Sequence, residues 1–256
     1  MNWTNSFKKL SSIYIEEFEG RWQNGVRTAK EIYYYINANY PHVSRILDIP
    51  AGIGRLSIPL SLYGFDVLGI DFSDKFIEHA NKKKLEFGAK TSKFIVGDMF
   101  SSDESILRFK PQLVINWWTS IGYKGKRSDI TFFKHLKSVT EPGALFIIET
   151  WSREYILNFP IRRFWNDLGN IMVTVENHID PLQEAVESEH RYFRMKGNNL
   201  QFIGKFNSRI MLYSVVELKN MLSYSGWRVL KVSNSINQSD SFKPQVDRVV
   251  LICESS

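Results

Sequence analysis

The segment Asp48-Ile49-Pro50-Ala51-Gly52-Ile53-Gly54-Arg55 places a carboxylate and two closely spaced glycines directly after a short apolar run. Glycine lets the backbone turn sharply and lets a ligand approach the main chain closely. Asp71 and Asp98 each follow a later apolar run in the same way. Because the carboxyl ends of parallel strands meet at one edge of a sheet, we expect the three carboxylates to line one pocket.

This pocket has the chemistry of a nucleoside site. A carboxylate at Asp71 can accept both hydroxyls of a ribose, and one at Asp98 can accept from the exocyclic amine of adenine. A dinucleotide site favours a third glycine where Ser57 stands, and its pyrophosphate is repelled by Asp48. S-adenosylmethionine has no phosphate and carries two positive groups that an acidic turn attracts. The residues therefore favour S-adenosylmethionine over a nicotinamide dinucleotide.

The surrounding pattern predicts the elements that hold these residues. Short apolar runs at 45–49, 66–70, 93–96, 113–116 and 144–149 are typical of strands buried on both faces. Helical patterns separate several of them, notably at 72–87 and 128–139, and two helices precede them at 6–19 and 26–39. The alternating order predicts a doubly wound, mostly parallel sheet.

The second half of the chain has a different pattern of polar and apolar residues. Aromatic-rich residues to Trp165 predict a linker, and stretches at 171–179, 185–195 and 200–212 alternate polar with apolar residues, as antiparallel strands do. A helix at 215–225 and strands near 227–232 and 247–252 return to the main sheet. The fold class is therefore α/β: a Rossmann-like, seven-stranded, mostly parallel sheet with an antiparallel β insertion. Its predicted parts are helices covering the active site at 1–44, a ligand-binding core at 45–154, a cap at 155–212 and a completing segment at 213–256.

These motifs resemble the class I S-adenosylmethionine-dependent methyltransferases. The phrase LDIPAGIGRLS resembles the first motif of the family, GIDFS its ribose strand and GDM its adenine strand, although Ala51 stands where relatives often have cysteine. The resemblance covers approximately residues 30–150, and the tail YSVVELKNMLSYSGWRV matches more loosely. It implies that S-adenosylmethionine is bound by Asp48, Ala51, Gly52, Gly54, Asp71, Phe72, Asp98, Met99, Asn116 and Trp117.

The phrase NWWTSIGY at 116–123 indicates the acceptor. It resembles the loop of small-molecule methyltransferases, including amino-sugar N-methyltransferases, and it lacks the (N/D)-P-P-(Y/F) phrase of enzymes that methylate planar amines. The resemblance implies an acceptor site at Trp117, Trp118, Ser120, Tyr123 and Trp151. Alignment of the reacting atoms can supply much of the rate, so a base is needed only if the acceptor holds a proton. Candidate catalytic residues are Tyr123, Tyr14 and His178, with His190 also within the predicted cap.

Composition limits the other classes of protein to which the chain could belong. The chain has 256 residues with 43% hydrophobic and 23% charged residues, which is typical of a globular protein. One cysteine and scattered histidines predict neither a metal site nor disulfides, and they favour a cytoplasmic location. No apolar stretch is long enough to span a membrane. We expect a monomer or homodimer.

The charge of +6 is partly concentrated in a lysine-rich run at 75–93. Such a run fits either a solvated helix face or a nucleic-acid surface. The leading hypothesis is therefore methyl transfer to an N, O or C atom of a small molecule. The alternatives are an RNA or protein methyltransferase and a catalytically silent S-adenosylmethionine-binding partner subunit.

Overall fold

The computed structural model of the chain describes Phe7 and residues 10–100, 104–237 and 241–256. The helices are α1 Ser11–Gly20, α2 Trp22–Asn39, α3 Ser57–Leu62, α4 Asp74–Phe87, α5 Glu104–Phe109, α6 Lys126–Ser138, α7 Arg153–Asn158 and α8 Val215–Tyr224. The strands are β1 Arg45–Asp48, β2 Asp66–Asp71, β3 Ser92–Val96, β4 Leu113–Asn116, β5 Leu145–Trp151, β6 Arg163–Asp167, β7 Ile171–Asp180, β8 Ala185–Lys196, β9 Asn199–Met211, β10 Trp227–Ser233 and β11 Arg248–Ser255. Among the described residues, no helix has the length and apolar character needed to span a membrane.

Seven strands form the main sheet in the order β10-β11-β5-β4-β1-β2-β3. The five strands from β5 to β3 are parallel, whereas β11 runs antiparallel to both β5 and β10. The central strand β4 is buried along its whole length, which explains its continuous apolar sequence. The predicted fold class, including the return of the last two strands, is confirmed.

The second sheet has the order β6-β7-β8-β9, with every neighbouring pair antiparallel. We call this sheet the cap. It is joined to α1 by polar contacts, since the Tyr192 hydroxyl donates to the Glu17 carboxylate at 2.9 Å and Arg194 donates to Glu16 at 2.7 Å. Helix α1 therefore ties the cap to the rest of the molecule.

The predicted linker before the cap was wrong. It contains α7, whose first turn is capped because the Ser152 hydroxyl accepts from the Tyr155 N–H at 3.1 Å. It also contains β6, which among the described strands pairs only with β7 and forms an edge of the cap. Its alternating exposure has the period of a strand, but the aromatic density of the segment obscured that pattern. Of the predicted helix at 6–19, residues 6, 8 and 9 lie outside the described part, and helix α1 begins at Ser11.

Buried Asp129 fixes the loop that follows β4 against the rest of the core. One of its carboxylate oxygens accepts from the Gly122 N–H at 2.9 Å and from the Tyr213 hydroxyl at 2.6 Å. Gly122 has φ +91°, and a Cβ there would lie 2.6 Å from the Met211 carbonyl oxygen. The close approach of this loop to β9 therefore requires glycine.

Replacing Tyr213 with phenylalanine should lower the free energy of unfolding by about 1–3 kcal/mol, because the buried Asp129 carboxylate loses a hydrogen-bond donor. The exposed Tyr224 provides the control, since Tyr224→Phe removes a hydroxyl from a surface ring. Urea unfolding at neutral pH measures both variants. Equal unfolding midpoints would show that this hydrogen bond does not stabilise the fold.

Candidate active site

A cavity of about 590 Å³ lies between the carboxyl edge of the main sheet and the inner face of the cap. Residues of α1 and α2 also line it. Most of the residues selected from the sequence meet there, namely Tyr14, Asp48, Ala51, Gly52, Asp71, Phe72, Asp98, Met99, Trp117, Trp118, Ser120, Tyr123 and Trp151. Gly54, Asn116 and His178 are absent from the lining.

The two glycines of the loop after β1, Gly52 and Gly54, lie in different environments. Gly52 has φ +56° and faces the cavity, where the nearest heavy atom to an added Cβ is Phe18 Cε2 at 3.9 Å. Gly54 has φ +82° and packs against the core, where an added Cβ would lie 2.9 Å from the Phe94 ring. Gly52 therefore leaves backbone open to a ligand, whereas Gly54 permits the loop to pack on β3.

Asp71 lies at the end of β2 and holds the glycine loop. Its two carboxylate oxygens accept from the Gly52 N–H at 2.9 Å and from the Ser73 N–H at 3.0 Å. Burial raises the pKa of Asp71 to about 6, although these backbone donors favour the charged form. Each oxygen has a further lone pair, so the carboxylate can accept hydrogen bonds from a ligand as well.

Asp48 is buried at the end of β1, where the same loop starts, and it lines the cavity. Its carboxylate accepts from the Ser57 hydroxyl at 2.5 Å. Burial raises the pKa of Asp48 to about 7, against the opposing effects of Ser57 and of the Arg55 guanidinium. This carboxyl group therefore changes protonation state near neutral pH.

Asp98 and Asn116 occupy contrasting positions. Asp98 is exposed at the rim, where it accepts from the Phe100 N–H at 3.0 Å and from Lys124 Nζ at 3.2 Å. Asn116 is buried, and its side-chain amide donates to the Ile49 carbonyl at 2.7 Å. The structure thus corrects the prediction for Asn116, which supports the loop from behind instead of facing the cavity.

His178 lies on the outer face of the cap. Its neighbours Asn177 and Ile179 line the cavity, whereas His178 is exposed, because successive side chains of a strand point to opposite faces. This placement corrects the prediction that His178 reaches the site. His190 on β8 does line the cavity, and burial lowers the pKa of its imidazole, so the ring is neutral at pH 7.

Both candidate tyrosines lie near the cap, where Tyr14 is buried and Tyr123 is half-buried. Burial raises the pKa of Tyr123 to about 12 and raises that of Tyr14 as well, so both phenols keep their protons at neutral pH. The Tyr14 hydroxyl has no hydrogen-bond partner among the described residues. Both side chains are therefore suited to donating a hydrogen bond and unsuited to acting as bases.

The loop after β4 is strained and anchored. Trp118 and Thr119 have φ values of +64° and +55°, a conformation that costs about 1–3 kcal/mol for a non-glycine residue. Buried Glu149 accepts from the Trp118 N–H at 2.7 Å and pairs with Arg248 at 3.1 Å. Arg248 also donates to the Thr119 hydroxyl at 2.8 Å. This Glu149–Arg248 pair holds the Trp118 ring at the cavity wall.

Sequence reasoning missed a charged cluster at the carboxyl end of α1. Glu17 is buried and accepts from Arg21 at 3.3 Å as well as from Tyr192. The Arg21 and Arg55 guanidinium carbons lie 5.3 Å and 4.4 Å from the Trp118 ring centroid. The i, i+4 spacing of Glu17 and Arg21 was a signal that they share a helix face. Nothing local indicated Tyr192.

Comparisons with known proteins agree with this geometry. Residues 46–143 match the family model described as a methyltransferase domain. The putative methyltransferase YqeM of Bacillus subtilis (strain 168) is 25% identical over 210 residues, which cover 80% of this chain and 82% of that protein.

Solved structures extend the likeness over nearly the whole chain. An S-adenosylmethionine-dependent methyltransferase from Clostridium acetobutylicum ATCC 824 superposes with a TM-score of 0.78 at 15% identity, covering 97% of this chain and 98% of that one. CalS10 from Micromonospora echinaspora, described as an amino pentose methyltransferase, has a TM-score of 0.71 at 15% identity and covers 95% and 97%. These likenesses show a shared fold that includes the cap.

Asp48 should make the stability of the ligand-free protein depend on pH. Its folded-state pKa of about 7 exceeds the ordinary value of 3.8, so its contribution is fully present below pH 3.8 and is lost as the pH rises through 7. The free energy of unfolding of Asp48→Asn, relative to that of the native protein, should therefore rise with pH between the two pKa values. The expected rise is up to about 1.4 kcal/mol per pH unit. Urea unfolding at several pH values measures the difference, with exposed Asp66→Asn as the control. Parallel pH curves for the native protein and Asp48→Asn would contradict the expectation.

Proposed function

We propose that this chain, whose residues 46–143 match the methyltransferase domain model, transfers a methyl group from S-adenosylmethionine to a small molecule bound beneath the cap. The observation that carries the proposal is the single cavity that joins Gly52 and Asp71 to the inner face of the cap. Its volume of about 590 Å³ lies within the range of small-molecule sites, about 300–1,000 Å³.

The donor fits the residues around the glycine loop. Gly52 leaves its backbone open to the cavity, and Asp71 retains lone pairs for the two ribose hydroxyls. Asp98 at the rim is placed to accept from the adenine amine, while Met99 and Phe72 supply apolar surface beside it. When bound, S-adenosylmethionine supplies an electrophilic methyl group on a sulfonium. The buried carboxylates favour that positive charge over a phosphate.

The acceptor is assigned to the part of the cavity between the loop after β4 and the cap. Trp117, Trp118, Ser120, Tyr123 and Trp151 line this part. Enclosure by the cap excludes water and aligns the reacting atoms, an effect that can supply about 7–11 kcal/mol of the barrier reduction.

An amine nitrogen is the proposed acceptor atom. A protonated amine has no lone pair with which to attack, so a neighbouring base must take its proton. The neutral His190 imidazole on the cap replaces His178 as the candidate base, while Tyr14 and Tyr123 orient the acceptor. The likeness to CalS10, described as an amino pentose methyltransferase, supports an acceptor that carries an amine.

The lysine-rich run does not favour a nucleic-acid acceptor. Lys82 pairs with Glu78 at 2.8 Å, and Lys83 pairs with Glu19 of α1 at 3.2 Å. Lys84 donates to the Ser92 carbonyl. These contacts are those of a solvated helix face that also packs on α1, so the run has a structural role independent of the cavity.

The function is tested by donor binding followed by turnover. Calorimetry should show binding of S-adenosylmethionine and S-adenosylhomocysteine and none of NAD. Transfer of a labelled methyl group is then measured on a panel of small amines, with RNA and a basic protein as the alternative acceptors. Methylation of RNA in preference to every amine would overturn the small-molecule proposal. Absence of donor binding would overturn the methyltransferase function altogether.

Asp71→Asn should weaken binding of S-adenosylmethionine by at least tenfold. The neutral amide loses charge-assisted hydrogen bonds, each of about 1.5–3 kcal/mol, and tenfold corresponds to about 1.4 kcal/mol. Asp66→Asn lies at the exposed start of the same strand and should leave the affinity unchanged. Calorimetry on both variants gives the dissociation constants, and thermal unfolding verifies that both are folded. An unchanged affinity in Asp71→Asn would remove this residue from the donor site.

A further inference from the structure

The inner face of the cap carries its side chains in rows that run across three strands. Residues paired in register, Asn177 on β7, Ser188 on β8 and Ser208 on β9, form one such row. All three line the cavity. Because neighbouring strands lie about 4.8 Å apart, the row spans about 10 Å of the cavity wall. We call these three residues the polar row.

The rows on either side of the polar row are less polar and are packed against other elements. The row nearer α1 contains Val175, His190 and Phe206, and the Phe206 ring lies 5.5 Å from the Tyr14 ring. The row on the other side contains Ile179, Val186 and Ile210, which pack with Tyr123 and Trp151. The polar row therefore faces the part of the cavity between Tyr14 and Tyr123, where the acceptor is proposed to lie.

The two serines of the polar row are buried, and hydrogen bonds hold Ser188 and Asn177 in position. Ser188 and Ser208 are 4% and 5% exposed. The Ser188 hydroxyl donates to the Asn177 side-chain oxygen at 2.7 Å, and the Asn177 amide donates to the Ile161 carbonyl at 2.9 Å. These bonds fix the Asn177 amide, and each serine hydroxyl has lone pairs that can accept a hydrogen bond from a ligand. Burying such groups without further partners costs free energy, and a ligand that supplies partners recovers it.

A further polar group at this cavity is the Tyr14 hydroxyl of α1. The Tyr14 residue is 4% exposed, lines the same cavity, and its hydroxyl has no hydrogen-bond partner among the described residues. Its ring lies 5.8 Å from the Tyr192 ring on β8, one row beyond His190. Hydrogen-bonding groups thus face the acceptor region from both α1 and the cap.

We propose that Asn177, Ser188 and Ser208 determine specificity by binding neighbouring hydroxyl groups of the acceptor. The three side chains are neutral and offer both donors and acceptors, which matches hydroxyls and offers no counter-charge to a phosphate or carboxylate. The row is wide enough to meet hydroxyls on a six-membered ring. The acceptor is therefore a hydroxylated ring that carries an amine, a conclusion that rests on the proposed function and narrows it.

The test compares two amines that differ in their hydroxyl groups. The full chain is saturated with S-adenosylhomocysteine, and calorimetry measures binding of D-glucosamine and of cyclohexylamine. The native protein should bind glucosamine at least about tenfold more tightly, as expected for two net hydrogen bonds. The double variant Ser188→Ala, Ser208→Ala should reduce this ratio to within about twofold. Single Ser208→Ala should give an intermediate ratio.

The control removes a hydroxyl from the outer face of the same strands. Thr174 pairs with Arg191 on β7 and β8 and is outside the cavity lining, so Thr174→Val should keep the native preference. Affinity for S-adenosylhomocysteine should stay within about twofold in every variant. Equal or tighter binding of cyclohexylamine by the native protein would overturn the proposal, as would binding of neither ring. A preference that survives in the folded double variant would also overturn it. Failure of the native protein to bind S-adenosylhomocysteine would instead overturn the proposed function.

Discussion

Buried carboxylates that accept backbone N–H groups hold the irregular loops around the cavity. A loop at the carboxyl edge of a parallel sheet has main-chain donors with no ladder to join, and a buried donor without a partner is costly. A carboxylate from a neighbouring element supplies the partner and fixes the path of the loop. Three such pairs surround the cavity, with Asp71 accepting from Gly52, Glu149 accepting from Trp118 and Asp129 accepting from Gly122.

This arrangement has an electrostatic consequence. Burial raises the pKa of each of these carboxyl groups. The positions from which they bind the loops therefore disfavour the charged form, although the charged form accepts the strongest hydrogen bonds. The Arg248 guanidinium offsets that effect at Glu149. At Asp71 and Asp48 a cationic ligand would do so, and the donor is of that kind. The empty site is therefore less favourable for its carboxylates than the filled one.

Under the proposed function, the cap sets the size and polarity of the acceptor. It stands over the carboxyl edge, and α1 ties it down through Glu17 and Tyr192. The resulting cavity combines aromatic walls from the loop after β4 with a neutral hydrogen-bonding row from the cap. Its volume of about 590 Å³ is that of a small-molecule site.

The sequence by itself determined the parallel core and the donor end of the site. Buried strands have continuous apolar runs, and carboxylates directly after such runs must meet at one edge, so Asp48, Asp71 and Asp98 could be placed together from local pattern alone. The alternating stretches likewise predicted β7 to β9. Short elements such as α7 and β6 were not predicted, because their few residues carry little periodic signal.

Only the tertiary structure decided the acceptor end. The Glu17–Tyr192 contact joins residues 175 positions apart, and no local pattern encodes it. Whether His178 or His190 lines the cavity depends on which face of its strand is turned inward. The pairing register and the packing together determine that face. The same reason explains why Gly52 meets the cavity while Gly54 meets Phe94. Local pattern specifies an element, whereas the face that it presents is fixed only when its neighbours pack against it.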